Sequence, residues 1–286
     1  MLQQGPSRTA IRTAIHRAAH LLLDDDPKIL TDTFARAFAG YDSDADFLRA
    51  LENLPLFEFP RLRAIFTARN RYAEDELADA VKRGVSQYVI LGAGLDSFAY
   101  RRPESIASLD VFEIDLPATQ AWKCARVAKL GIPPPRRLHH LAIDFERQTL
   151  AEGLTGSVVD LEAPAFFSLL GVAQYLTKDA LSRTLRDVVE TSVPGSEQVL
   201  QFVAPPTILA PEEAALVNAL ANRAMENGEP WLSFYEPADM ERHLREAGFS
   251  SVSHFDRDLA TERYFRNRTD GLSLPGYFQM MKAQVE

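Results

Sequence analysis

The sequence predicts a single α/β domain. It is built on a mostly parallel seven-stranded sheet with helices on both faces, plus helical additions at the N-terminus and as a lid. Three observations carry this. Short continuous apolar runs recur and end on glycine or aspartate, as strands buried on both faces do. Helical stretches alternate with them, which marks βαβ units and parallel pairing. The chain has 286 residues, 46% hydrophobic and 25% charged, the composition of a globular protein able to bury one large core.

Residues 1–84 read as a helical N-terminal cap. Ser7 caps a helix in which Ile11, Ala14, Ile15, Ala18, Ala19 and Leu22 form an i, i+3, i+4, i+7 stripe. Pro27, Pro55 and Pro60 punctuate shorter helices, and a helix over 74–82 ends at Gly84. From Gln87 the period changes. Strands are expected over 88–91, 109–115, 138–143, 165–172 and 198–203, with helices over 117–130 and 178–191 between them. These make up a core of residues 85–205. A lid over 206–235 holds a helix from Pro211 to about Asn227, stopped by Gly228. Residues 236–286 return to the core with a helix over 237–247 and final strands over 251–255 and 277–283. No repeat or low-complexity linker interrupts the chain, so one domain is expected over 1–286.

Charge and cysteine content narrow the function classes. A formal charge of −9 counts against nucleic acid as a partner, since phosphate binding needs a concentrated basic surface. The single cysteine, Cys124, excludes an intramolecular disulfide and a cysteine-rich zinc site. No apolar signal segment or membrane span is visible, because the run Leu21-Leu22-Leu23 stops at Asp24-Asp25-Asp26. The expectation is a soluble, cytoplasmic protein with no membrane partner. His16 and His20 have the spacing of two metal ligands but no third ligand nearby, so no metal is expected. His139 and His140 lie within a strand and are expected to be structural.

The chemistry concentrates at strand ends. Gly92-Ala93-Gly94 follows the first strand directly, giving a tight turn and close backbone approach to a ligand. A pyrophosphate cradle wants a third glycine where Ser97 stands and no carboxylate ahead of the helix, yet Asp96 is there. That loop tolerates a ligand bearing an ammonium and a sulfonium and no phosphate; S-adenosylmethionine is one. Asp115 ends the second strand, with Glu113 on the same face two residues earlier, placed to accept from ribose hydroxyls. Asp144 and Phe145 end the third strand and suit an adenine. The bland readings are a tight turn at the glycines and helix caps at the two aspartates.

These segments resemble the leucine carboxyl methyltransferase-like family, in its bacterial branch of S-adenosylmethionine-dependent O-methyltransferases. The matching stretches are RNRYAED from Arg69, VSQYVILGAGLDSFAY from Val85, FEIDLP from Phe112, AIDF from Ala142, AFFSLLGVAQYLT from Ala165, residues 228–237, and RYFRNRTDGL from Arg263. The resemblance implies a Rossmann-like class I methyltransferase fold. It also implies that Arg69, with Arg71 as the alternative, holds the cofactor's methionyl carboxylate. Gly92, Ala93 and Gly94 with Asp96 would contact the methionyl part, Asp115 the ribose, and Asp144 with Phe145 the adenine. Leu170 and Gly171 would border the methyl-donor site. Leu170 stands where many members carry glutamate, so a C-terminal-leucine substrate does not follow.

Methyl transfer from a sulfonium needs alignment and exclusion of water; a carboxylate acceptor needs no base, whereas a hydroxyl does. Tyr175 is the candidate catalytic residue lining the methyl site. Trp231 is a candidate for the acceptor pocket, with Phe234 and Tyr235 beside it, and Tyr264, Arg266 and Arg268 are candidates to bind an anionic acceptor. The expected function is O-methylation of a small molecule. Protein or peptide carboxyl methylation, a non-catalytic S-adenosylmethionine-binding protein and an NAD-dependent oxidoreductase are the alternatives.

Overall fold

The computed structural model describes residues 7–53, 59–101 and 108–286; Pro55 lies outside them. The N-terminal region contributes four helices, α1 (Arg8–Leu23), α2 (Ala35–Phe38), α3 (Asp44–Leu51) and α4 (Phe59–Lys82). The sheet then begins with β1 (Gln87–Leu91), followed by α5 (Phe98–Arg101), β2 (Asp110–Asp115), α6 (Pro117–Lys129), β3 (Leu138–Ala142), α7 (Leu150–Leu154) and β4 (Ala165–Leu169). After β4 come α8 (Lys178–Glu190), β5 (Glu197–Val203), α9 (Pro211–Glu226), α10 (Pro237–Ala247), β6 (Ser251–Phe255), α11 (Arg257–Ala260) and β7 (Phe278–Gln284).

The seven strands lie in the order β3-β2-β1-β4-β5-β7-β6. The first five are parallel neighbours, while β7 runs antiparallel to both β5 and β6. Strand order reverses between β1 and β4, and in open α/β sheets the crevice at such a switch point is where ligands bind. β1 is buried along its whole length, and its alternation divides the interior. Tyr88 and Ile90 join a core with α1 and α4; Val89 and Leu91 join a second core with α8 and α10 on the opposite face.

Two elements differ from the sequence expectation for identifiable reasons. The helix expected over 74–82 is the last third of α4, which is 24 residues long. Its N-terminal half buries Arg63, Arg69 and Asn70, and such buried polar groups hide an apolar period. Arg63 pairs with Asp24, at 2.6 Å. The strand expected over 165–172 stops at Leu169, since Gly171 adopts φ 74° and turns the chain out of the sheet.

α1 is fastened across the glycine loop. Ser7 caps it by accepting from Ala10 N, and Arg17 donates to Leu95 O at 2.7 Å and to Asp32 at 2.8 Å. His16, on its buried face, is held well below its ordinary value of 6.5 by burial and then by Arg12 and Arg63. The unfolded chain therefore binds a proton below about pH 6.5 that the folded chain refuses, and stability falls as pH drops through that point. Urea unfolding at pH 7 and pH 5 should show a smaller acid loss for His16→Gln than for the parent chain. An equal loss would show that His16 is not the group responsible.

Candidate active site

The glycine loop hangs from β2 by backbone bonds: Ile114 O accepts from Gly92 N at 2.8 Å and from Ala93 N at 2.9 Å. Both glycines take positive φ, 75° at Gly92 and 53° at Gly94. A side chain at Gly92 would collide with Val172, and a Cβ at Gly94 would lie 3.2 Å from Ala10 Cβ on α1. Ala93 is buried beside them. Asp96 is buried and engaged on both oxygens, accepting from Phe98 N at 2.7 Å and from Asn70 at 3.0 Å. It fixes the loop to α4 and starts α5.

Asp115 closes β2. Its carboxylate accepts from Gly94 N at 2.5 Å and from Leu116 N at 2.6 Å. Burial pushes its pKa up, against the pull of those two N–H groups. Each carboxylate oxygen keeps a lone pair for another donor. Asp144 stands half-exposed past β3, accepting from Glu146 N at 3.1 Å, and Phe145 is buried beside it. Arg183 anchors this corner by donating to Phe145 O at 2.9 Å. The structure thus brings Gly92, Ala93, Gly94, Asp96 and Asp115 together at the switch point, with Asp144 and Phe145 past the neighbouring strand.

Beyond the loop, α1, α4, α9 and the ends of β4 and β5 wall a cavity. Leu62, Ile65, Phe66, Val203, Leu220, Ala224, Trp231 and Phe278 supply an apolar lining, and Arg8, Arg12 and Arg69 supply positive charge. Thr9, Thr13, Gln174, Tyr175, Gln201, Asn227 and Tyr277 are its neutral polar members. Among the described residues that line it there is no Asp, Glu, His, Lys or Cys.

Arg69 is the most unusual group there. It is 7% exposed and lies 4.7 Å above the Phe66 ring. Among the described residues its Nη1 makes one long hydrogen bond, 3.4 Å to Gln201, and its Nε has no partner. Burial, aided by Arg17, pushes the guanidinium down to about 9. Among the described residues it makes no ion pair, and a buried unpaired cation is costly, so this arrangement suits an anionic ligand group. Gly171 reinforces the reading: it packs against the guanidinium so closely that any side chain would displace it. Arg71, the alternative, turns away to Asp75 at 2.8 Å.

Tyr175 ends a short 3-10 turn after β4 and lines the cavity, its hydroxyl 3.3 Å from Thr9 Oγ1. Thr9 N donates to Glu229 at 3.0 Å, and Arg8 donates to Asn227 at 3.2 Å, so the first turn of α1 is tied to the segment after α9. Trp231 also lines the cavity, with Phe234 against it at 6.0 Å.

Several expectations need correction. Glu113 shares a face with Asp115 but is 1% exposed and committed to Lys123, with burial raising its pKa and Lys123 opposing the shift. It lies under α6 and not at the loop. Leu170 packs into the core on the α1 side instead of lining the cavity. Tyr264 donates to Asp75 at 2.9 Å, Arg266 pairs with Glu262 at 3.4 Å, and Arg268 pairs with Asp270 and donates to Pro27 O at 2.7 Å. None of the three lines the cavity, because each already has a partner elsewhere. Tyr235 is in the core on the other face, against His243. Sequence reasoning missed Arg8, Thr9, Arg12, Gln174 and Gln201. The four-residue spacing of Arg8 and Arg12 is the one local signal that places two of them on a common helix face.

Comparison with known proteins gives the family and the fold class. Residues 10–189 match the model of the family described as leucine carboxyl methyltransferase. A Bacillus subtilis protein named "Putative S-adenosyl-L-methionine-dependent methyltransferase YktD" is 33% identical over 211 residues, covering 72% of this chain and 67% of the relative. A "putative methyltransferase" of Thermobifida fusca shares the fold with TM-score 0.60 at 18% identity, over 100% of this chain and 97% of that one. A DUF574 family protein of Streptomyces avermitilis shares it with TM-score 0.58 at 16% identity, over 96% and 97%. The chain belongs to the leucine carboxyl methyltransferase family, S-adenosylmethionine-dependent methyltransferases of Rossmann-like class I fold.

Proposed function

We propose that this chain transfers the methyl group of S-adenosylmethionine to the carboxylate of a small, apolar acid, giving a methyl ester. The observation that carries the acceptor class is the make-up of the cavity. Its described lining offers three guanidiniums and no carboxylate or imidazole, so nothing there is suited to deprotonate a hydroxyl at neutral pH. A carboxylate arrives already ionised and is attracted by the arginines.

Bound S-adenosylmethionine supplies a methyl group on a sulfonium, a very good leaving group, so the chain's own task is to bind, align and exclude water. The residues present fit that cofactor. Arg69 gains an anionic partner in the methionyl carboxylate, with Gly171 leaving room for both. Gly92, Ala93 and Gly94 allow close backbone approach, and Asp96 keeps their loop rigid. Asp115 would accept from the ribose hydroxyls, while Asp144 would accept from the adenine amine and Phe145 would border its ring. Arg8 and Arg12 hold the acceptor carboxylate, and Tyr175 orients the two reactants. The apolar wall of α4 and α9 receives the acceptor's body and keeps water out. A cavity walled on several sides by α1, α4 and α9 favours a small acid over a peptide terminus.

Incubation with S-adenosylmethionine and a panel of apolar carboxylic acids and their matched alcohols should yield methyl esters of the acids. The rate should be nearly flat between about pH 6 and 9, because a carboxylate of pKa about 4.3 is ionised throughout. Methylation of the alcohols instead, with a rate rising through that range, would contradict the carboxylate reading.

A further inference from the structure

Besides Arg69, two side chains that line the cavity carry a shielded polar atom with no hydrogen-bond partner among the described residues. Gln174 is 6% exposed, and its Oε1 has no hydrogen-bond partner; the indole Nε1 of Trp231 has none either. Both side chains line the cavity. They are brought together by the backbone: Gln174 O accepts from Leu232 N at 2.6 Å and from Ser233 N at 3.3 Å. Tyr235 N then donates to Val203 O at 3.1 Å, so the strap that carries Trp231 is stitched to the ends of β4 and β5. A buried acceptor and a buried donor, each unsatisfied and held on neighbouring rigid segments, make a complementary pair of contacts for one incoming group.

We infer that Gln174 and Trp231 are specificity-determining residues that recognise a hydroxyl on the acceptor, in addition to its carboxylate. A hydroxyl is the smallest group that answers both: its oxygen accepts from the indole N–H while its proton goes to the Gln174 carbonyl oxygen. The substrate class is thereby narrowed from apolar acids to hydroxylated ones. Sites with buried polar groups reject an analogue that lacks the matching hydroxyl, because those groups are then left unpaired. The inference rests on the carboxylate reading proposed above.

Calorimetry on the full chain saturated with S-adenosylhomocysteine tests it with three probes of one frame: 3-phenylpropanoate, 3-phenyllactate and 3-(4-hydroxyphenyl)propanoate. At least one hydroxylated acid should bind about 10-fold or more tightly than 3-phenylpropanoate. Gln174→Leu and Trp231→Phe should each erase most of that preference, read as the ratio of affinities to 3-phenylpropanoate in the same variant, while leaving S-adenosylhomocysteine affinity unchanged. The unchanged adenosyl affinity shows that the variants are folded. Equal binding of all three acids, or a preference that survives both substitutions, overturns the inference and leaves the carboxylate reading standing. Failure of all three acids to bind overturns both.

Discussion

Arg69→Met is expected to cost S-adenosylhomocysteine at least about 30-fold in affinity, equivalent to about 2 kcal/mol, without destabilising the unliganded fold. The first half follows from charge. A buried guanidinium that finds its counter-charge only in the ligand contributes about 2–5 kcal/mol when that pair is broken. The second half follows from its isolation. In the folded chain the guanidinium is pushed down to about 9 by burial. A cation whose folded pKa is depressed opposes folding in full at every pH below the folded value, and the penalty fades only above about 9. At pH 7 the penalty is fully present, and methionine removes it while filling similar space. Thermal unfolding should therefore show Arg69→Met at or above the parent's midpoint, with S-adenosylhomocysteine raising the parent's midpoint and not the variant's. A folded variant binding within a factor of about 3 of the parent would remove Arg69 from the site.

The second large effect is on stability. Lys123 and Glu113 are each 1% exposed and face one another between α6 and β2. His140 Nδ1 lies 3.5 Å from the same carboxylate. Lys123→Met leaves Glu113 buried without its cation and is expected to cost about 3–5 kcal/mol in urea unfolding. Adding Glu113→Gln to it should recover a large part of that loss, since the uncompensated charge, more than the missing contact, is what destabilises. A single variant within about 1 kcal/mol of the parent would mean the pair is not held as described. Asp115 and its loop lie beyond this ion pair, so the double variant should retain adenosyl binding.

How much of this was legible beforehand depends on distance along the chain. Strand ends were readable because an apolar run that stops on Gly92, Asp115 or Asp144 announces both a buried strand and the polar group at its tip. Alternation also places Glu113 and Asp115 on one face; what it does not reveal is depth, and two residues decide between a buried ion pair and the loop. For Tyr264, Arg266 and Arg268 the local sequence did hold a warning. Glu262 stands four residues before Arg266, and Asp270 two after Arg268, so both arginines had carboxylates at hand. The cavity was the least legible part. Arg8, Arg69, Gln174 and Trp231 come from four separate segments, and no spacing rule joins them. α4 hid its length for a related reason: its buried Arg63 and Arg69 look like surface residues until Asp24 and the cavity are in view.

The central claim is that the glycine loop, Asp115 and Arg69 together hold an adenosyl ligand and not a dinucleotide. Titration of the full chain with S-adenosylhomocysteine and, separately, with NAD tests it most directly. The arrangement predicts one S-adenosylhomocysteine bound per chain, with affinity weakened by Asp115→Ala by about 1–3 kcal/mol, and no measurable binding of NAD. Tight binding of NAD with no heat from S-adenosylhomocysteine would contradict it.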